Sequence, residues 1–145
     1  MEVYSIGFTK KSAEEFFDVL KGARIARLID VRLNNSSQLA GFAKRDDLKY
    51  FLGEICRAEY VHELLLAPTQ ELLDSHKKKK GSWQEYEFKF LALMEDRKVA
   101  EVLDRSLFLL PAALLCSEDS AEHCHRRLVL EYLDRKWGGL RIRHL

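Results

Sequence analysis

Five consecutive residues, Pro111 to Leu115, carry no polar side chain. A strand of that composition has to be covered on both faces, which is the situation of an inner strand in a parallel sheet. Four more short runs read as strands: Val3 to Ile6, Ile25 to Val31, Glu59 to Glu63 and Leu140 to Arg143. Helical patterns separate them. Ser12-Ala-Glu-Glu15 is a capping box ahead of Phe16, Phe17 and Leu20, and that helix stops at Gly22. Leu48, Phe51, Leu52, Ile55 and Cys56 recur at amphipathic spacing. Thr69 is placed to cap a short helix through Leu73, and Gly81 or Ser82 opens one carrying Trp83, Tyr86, Phe90, Leu93 and Met94. Glu95 to Arg105 either prolongs that helix or forms another. A second capping box, Asp119-Ser-Ala-Glu122, predicts a helix with His125, Leu128, Val129, Tyr132 and Leu133 on its inner stripe, ended by Gly138-Gly139.

Strands alternating with helices predict an α/β fold: a single compact domain over 1–145, with a mostly parallel sheet of about five strands and helices on both faces. The length of 145 residues suffices for one core without staples. A net charge of +1 gives no overall field that would favour an anionic partner, so only a local cluster can make that case. Three cysteines and no leader-like start predict reduced thiols and a cytoplasmic location. No apolar run approaches the roughly 20 residues of a membrane span.

In such a sheet, ligands bind beyond the carboxyl ends of the strands. The residues expected there are Gly7 and Thr9, Asp30 and Arg32, His62 and Glu63, Cys116 and Glu118, joined by Cys124, His125 and Arg126. Asp30 and Arg32 project to the same side of one strand. Either Arg32 holds an anion while Asp30 orients it or acts as base, or the two form an internal ion pair that fixes the following loop. Cys116 ends a buried strand near a helix start, where a thiol pKa falls, although buried cysteine also packs as a small hydrophobe. His125 lies on an apolar stripe and is either an acid–base group or a core histidine. Cys124 is the second thiol candidate, and Cys56 belongs to the core. His123 is expected to face solvent, and His76 carries no signal.

No metal or cofactor is expected, because the seven residues between Cys116 and Cys124 match no standard zinc spacing. Lys77 to Lys80 reads as a solvated basic run, or else as a phosphate contact. Trp83 and Tyr86 are either core or a stacking surface for a base.

Several segments together resemble one family: Ser5-Ile-Gly7, Leu28-Ile-Asp-Val-Arg32, Ala40-Gly-Phe42, Leu66-Ala-Pro-Thr69, Trp83-Gln-Glu-Tyr86, Leu114-Leu-Cys-Ser-Glu118 and Cys124-His-Arg126. They are similar to the bacterial and archaeal proteins grouped as domain of unknown function 488, from Tyr4 to the terminal Arg143-His-Leu145. The resemblance implies a compact α/β fold and a cytoplasmic location, and names no reaction. Two places depart from its pattern. Phe8 and Thr9 stand where histidine and serine are usual, and Leu33 to Ser37 lacks the usual proline.

Three functional expectations follow. The first is an enzyme acting on an anionic substrate, such as a nucleotide or nucleic-acid component. Arg32 and Arg126, with Gly7 and Thr9, would bind it, and Asp30, Glu118, His125 and Cys116 would supply the chemistry. The second is a thiol-based sulfurtransferase or redox protein using Cys116. The third is a non-catalytic module for a ligand or nucleic acid.

Overall fold

The computed structural model describes residues 1–36, 41–78, 82–118 and 121–145, with the side chains of 77 and 78 left aside. The expected strands form. They are β1 (Glu2–Gly7), β2 (Arg27–Asp30), β3 (Glu59–His62), β4 (Ala112–Cys116) and β5 (Arg141–His144). They make one sheet in the order β3-β2-β4-β1-β5, with every pairing parallel. The chain is therefore an α/β protein. The apolar run lies where its composition requires, with all five residues of β4 buried between β1 and β2.

Helices fill the connections: α1 (Ala13–Gly22), α2 (Arg45–Phe51), α3 (Gln70–Lys78), α4 (Trp83–Asp96), α5 (Val99–Val102) and α6 (His125–Trp137). Ser12 caps α1 by accepting the Glu15 N–H at 3.1 Å, and Ser82 caps α4 in the same way at 3.2 Å. Thr69 caps α3, which runs five residues beyond the expected Leu73. Lys98, at φ 54°, separates α4 from α5, so the second of the two readings of that stretch holds.

Three expectations need correction. The stretch Leu48 to Cys56 is not one α-helix, because Leu52–Cys56 is a π-turn. Its wider winding breaks the stripe: Leu48 and Leu52 are fully buried, Ile55 is swung out to 39% exposure, and Cys56 is only half-buried. The second strand is shorter than Ile25 to Val31, since Ala26 and Arg27 both donate to the Pro111 carbonyl and turn the chain into the sheet. The last helix begins at His125, with Cys124 as its N-cap residue, and not at the Asp119 box. Asp119 and Ser120 lie outside the described residues, as do 37–40, 79–80 and Gly81, so the start of that box, the Ala40 motif position and the second half of the lysine run have no structural account, while Lys77 and Lys78 end α3.

Two cores sandwich the sheet. Phe16, Phe17 and Leu20 of α1, with Leu48 and Leu52, pack on the face that presents Ile6, Leu28 and Leu115. Phe90, Met94, Leu128 and Leu133 of α4 and α6 cover the face that presents Val3, Ile29 and Leu114. The route β1–α1–β2–α2–β3 thus runs to one edge across the first face, and β3–α4–β4–α6–β5 returns across the second. Neighbouring β2 and β4 send their chains to opposite edges and opposite faces, so a crevice opens between their carboxyl ends.

Candidate active site

That crevice is a cavity of about 410 Å³, lined on the sheet side by Arg32, Cys116, Ser117 and Glu118. The start of α6 adds Cys124 and His125, and α3 and α4 add His76, Trp83 and Tyr86. The volume falls in the usual range for small-molecule sites.

Cys116 is the last residue of β4 and lies in register with Gly7 of β1. Its Sγ is 3.4 Å from Nδ1 of His125 and 4.0 Å from Nε2. The Nε2 atom is 2.8 Å from the Val31 carbonyl oxygen, which can only accept, so Nε2 carries a proton and donates it. Nδ1, the nearer ring nitrogen, is then the unprotonated one, with the sulfur lying alongside the ring. The Cys116 pKa is lowered, chiefly by hydrogen bonding from Cys124, with the backbone N–H of Ser117, the Arg126 charge and the Glu118 N–H acting in the same sense against burial. Cys124 is pushed up by the same contact with Cys116 and by its own burial. The two sulfurs are coupled, and Cys116 is the one that favours the thiolate, because the backbone donors and Arg126 favour charge there.

The other expected residues play varied parts. Asp30 is fully buried and lies outside the cavity lining. It receives two hydrogen bonds from the Arg32 guanidinium, both 2.8 Å, and one from the Tyr60 hydroxyl at 2.5 Å. Arg32 Nη2 also donates to the Ala43 carbonyl, and Nη1 is buried without a hydrogen-bond partner, the guanidinium lying 5.3 Å from the Phe8 ring centre. His62 does not reach the cavity. Its Nε2 is 2.6 Å from the Arg32 carbonyl oxygen, and Asn35 bridges it to Tyr60. Asp30, Arg32, Tyr60, His62 and Asn35 therefore form one network that fixes the chain after β2. Burial, followed by the bond to Asp30, raises the Tyr60 pKa far above its usual value.

Arg126 is fully buried behind the loop that follows β4, donating to Ser5 Oγ at 3.1 Å and to the Glu118 carbonyl at 2.6 Å. Gly7 packs against that same carbonyl. Thr9 holds the Ser117 carbonyl through both its N–H and its hydroxyl. The structure thus places Gly7, Thr9 and Arg126 around the back of the loop, while Cys116, Glu118, His125 and Arg32 line the cavity.

An aromatic wall completes the site. Trp83 stacks between Tyr86, at 5.2 Å, and His123, at 5.1 Å. His76 lies 4.9 Å from Tyr86, and Phe90 backs the His125 ring at 5.4 Å. Burial raises the Tyr86 pKa, with Cys116 and Cys124 adding to the effect. His76 has no sequence signal of its own, since only the packing of α3 on α4 brings it here. Trp83 and Tyr86 were legible as an aromatic pair at helical spacing, and Tyr86 serves core and wall together.

The sulfur and nitrogen atoms of Cys116, Cys124 and His125 all lie within 4.8 Å of one another, a donor set suited to a thiophilic cation. No fourth protein donor joins them among the described residues.

Fold and site together define a doubly wound α/β domain with a cysteine–histidine centre at the carboxyl ends of its inner strands. The chain belongs to the family described as "Domain of unknown function DUF488", which matches residues 12–133. The matched span takes in the Asp-Val-Arg strand end and both site cysteines and begins after the Ser5-Ile-Gly7 segment. No curated protein and no solved structure matches the chain. Among the described residues, no helix is long and apolar enough to cross a membrane.

Proposed function

We propose that the protein is a thiol-dependent enzyme in which Cys116 is the nucleophile toward a small molecule bound in the cavity. The carrying observation is the 3.4 Å approach of His125 Nδ1 to Cys116 Sγ, with the opposite ring nitrogen pinned to the Val31 carbonyl. That is the nucleophile, base and orienting group of covalent catalysis. His125 takes the thiol proton and returns it to the leaving group. Trp83, Tyr86 and His123 supply an apolar surface for the substrate. The reading that centres on an anionic substrate has less support, because Arg32 is neutralised by Asp30 and Arg126 serves Ser5 and the Glu118 carbonyl.

The test is alkylation by iodoacetamide from pH 5 to 9, read at each cysteine by peptide mass spectrometry. A lowered pKa means that the thiolate is already present at lower pH. Labelling of Cys116 is therefore expected to reach half its plateau below the value of about 8.5 for an ordinary thiol. His125→Gln, which keeps a donor and removes the base, should slow labelling at pH 7. Cys116 labelling that turns on only at or above pH 8.5, unchanged by His125→Gln, would remove the nucleophile and leave a binding module.

A further inference from the structure

Cys124 is not needed for the step just described, yet it is buried beside Cys116, 2% exposed, and lines the same cavity. As N-cap of α6 it makes no side-chain capping bond, so helix formation does not hold its sulfur in place. The sulfurs lie within 4.8 Å of each other. Joining them to the roughly 2.05 Å of a disulfide requires the Cys124 sulfur to close that gap. His125 is within reach of Cys116 and follows Cys124 directly in the chain. The third thiol is no competitor: Cys56 packs half-buried against the opposite core and donates to the Phe17 carbonyl.

We infer that Cys116 and Cys124 are a two-electron dithiol couple that reduces a small disulfide bound in the cavity, Cys116 attacking and Cys124 resolving. The inference rests on the nucleophilic role proposed for Cys116. In the first step His125 takes the Cys116 proton, the thiolate attacks one substrate sulfur, the substrate S–S bond breaks, and the departing thiolate collects that proton. In the second, Cys124 gives its proton to His125 and attacks the Cys116 sulfur, and the second substrate half leaves as a thiol. The substrate disulfide gains two electrons and two protons, and the protein is left with a Cys116–Cys124 disulfide, which two equivalents of an external thiol reduce again. The environments divide the labour. Cys116 has backbone N–H groups and Arg126 to favour its thiolate, and Cys124 is held as a thiol until the mixed disulfide forms. A cavity of about 410 Å³ with an aromatic wall suits a low-molecular-weight disulfide bearing a planar substituent.

The experiment uses the full chain with Cys56→Ser and the aryl disulfide dithiobis(nitrobenzoate), following released chromophore and protein mass. The expected result is two equivalents of thiol per chain, loss of two hydrogens from the protein, no retained adduct, and a Cys116–Cys124 disulfide in the peptide map. Cys124→Ser or Cys124→Ala should release one equivalent and retain an aryl adduct on Cys116. Either variant counts once its circular dichroism matches the parent. Adducts retained in the parent, or resolution that persists without Cys124, would overturn the couple while leaving Cys116 as nucleophile. A tightly held zinc ion that keeps both thiols inert until chelation would overturn it too. Failure of Cys116 to react at all strikes the proposed function itself.

Discussion

Asp30→Ala is expected to lower stability by roughly 3–5 kcal/mol, the cost of removing one partner from a buried ion pair and leaving the other charge unpaired. For a domain of this size that corresponds to a fall in melting temperature on the order of 10 °C. The guanidinium of Arg32 is 3% exposed and would keep only the Ala43 carbonyl as an acceptor. Tyr60 would lose its acceptor as well. Arg32→Ala should cost a similar amount for the reciprocal reason, since the fully buried Asp30 carboxylate would keep only Tyr60 and the Arg32 backbone N–H. Thermal and urea denaturation of both variants, and of the pair together, provide the check. The double variant should cost less than the sum of the singles, because the second substitution removes a charge already orphaned. Arg32→Ala with unchanged melting and unchanged denaturant midpoint would free Arg32 from this scaffold and restore its place as an anion ligand.

Much of the fold was legible in the sequence, and the reasons are local. An apolar run such as Ala112 to Leu115 admits few environments, and capping serines at 12 and 82 mark helix starts whatever surrounds them. The departures occur where the local pattern does not set the backbone. A period of 3.6 cannot announce a π-turn, which swings Ile55 out to solvent and leaves Cys56 half-buried at the rim of the core. Asp119 to Glu122 had the composition of a cap, but the helix begins where Cys124 meets the sheet. The location of the site was legible because parallel strands bring their carboxyl ends together. Which polar residue points into the crevice was not. Asp30 and Arg126 lie at the same end of the sheet as Cys116, and whether they face the cavity or the scaffold depends on partners such as Tyr60 and Ser5, distant in sequence. His76 and His123 reach the site from a helix and a loop whose approach depends on tertiary packing.

Gly7→Ala should be the most damaging glycine-to-alanine change among the described residues. A Cβ at that position would lie 1.5 Å from the Glu118 carbonyl oxygen and 2.5 Å from its carbon, both backbone atoms that no rotamer change can move away. The same carbonyl is held by Arg126 Nη1 at 2.6 Å, an atom itself only 3.0 Å from that Cβ, and the preceding carbonyl is held by Thr9. The loop can retreat only by breaking these bonds, which leaves a buried guanidinium short of an acceptor. An overpacked backbone contact with a lost charged hydrogen bond is expected to cost about 3 kcal/mol or more. The functional consequence separates this variant from a merely unstable one. The N–H groups of Ser117 and Glu118 favour the Cys116 thiolate, and displacing their loop removes that support. Folded Gly7→Ala protein should therefore require a higher pH for Cys116 alkylation than the parent at the same temperature. Gly53→Ala is the control, since nothing lies within 4 Å of its added Cβ, and it should leave both stability and labelling within about 0.5 kcal/mol of the parent. Gly7→Ala protein with parental stability and an unshifted labelling profile would mean that β1 does not set the position of the nucleophile loop.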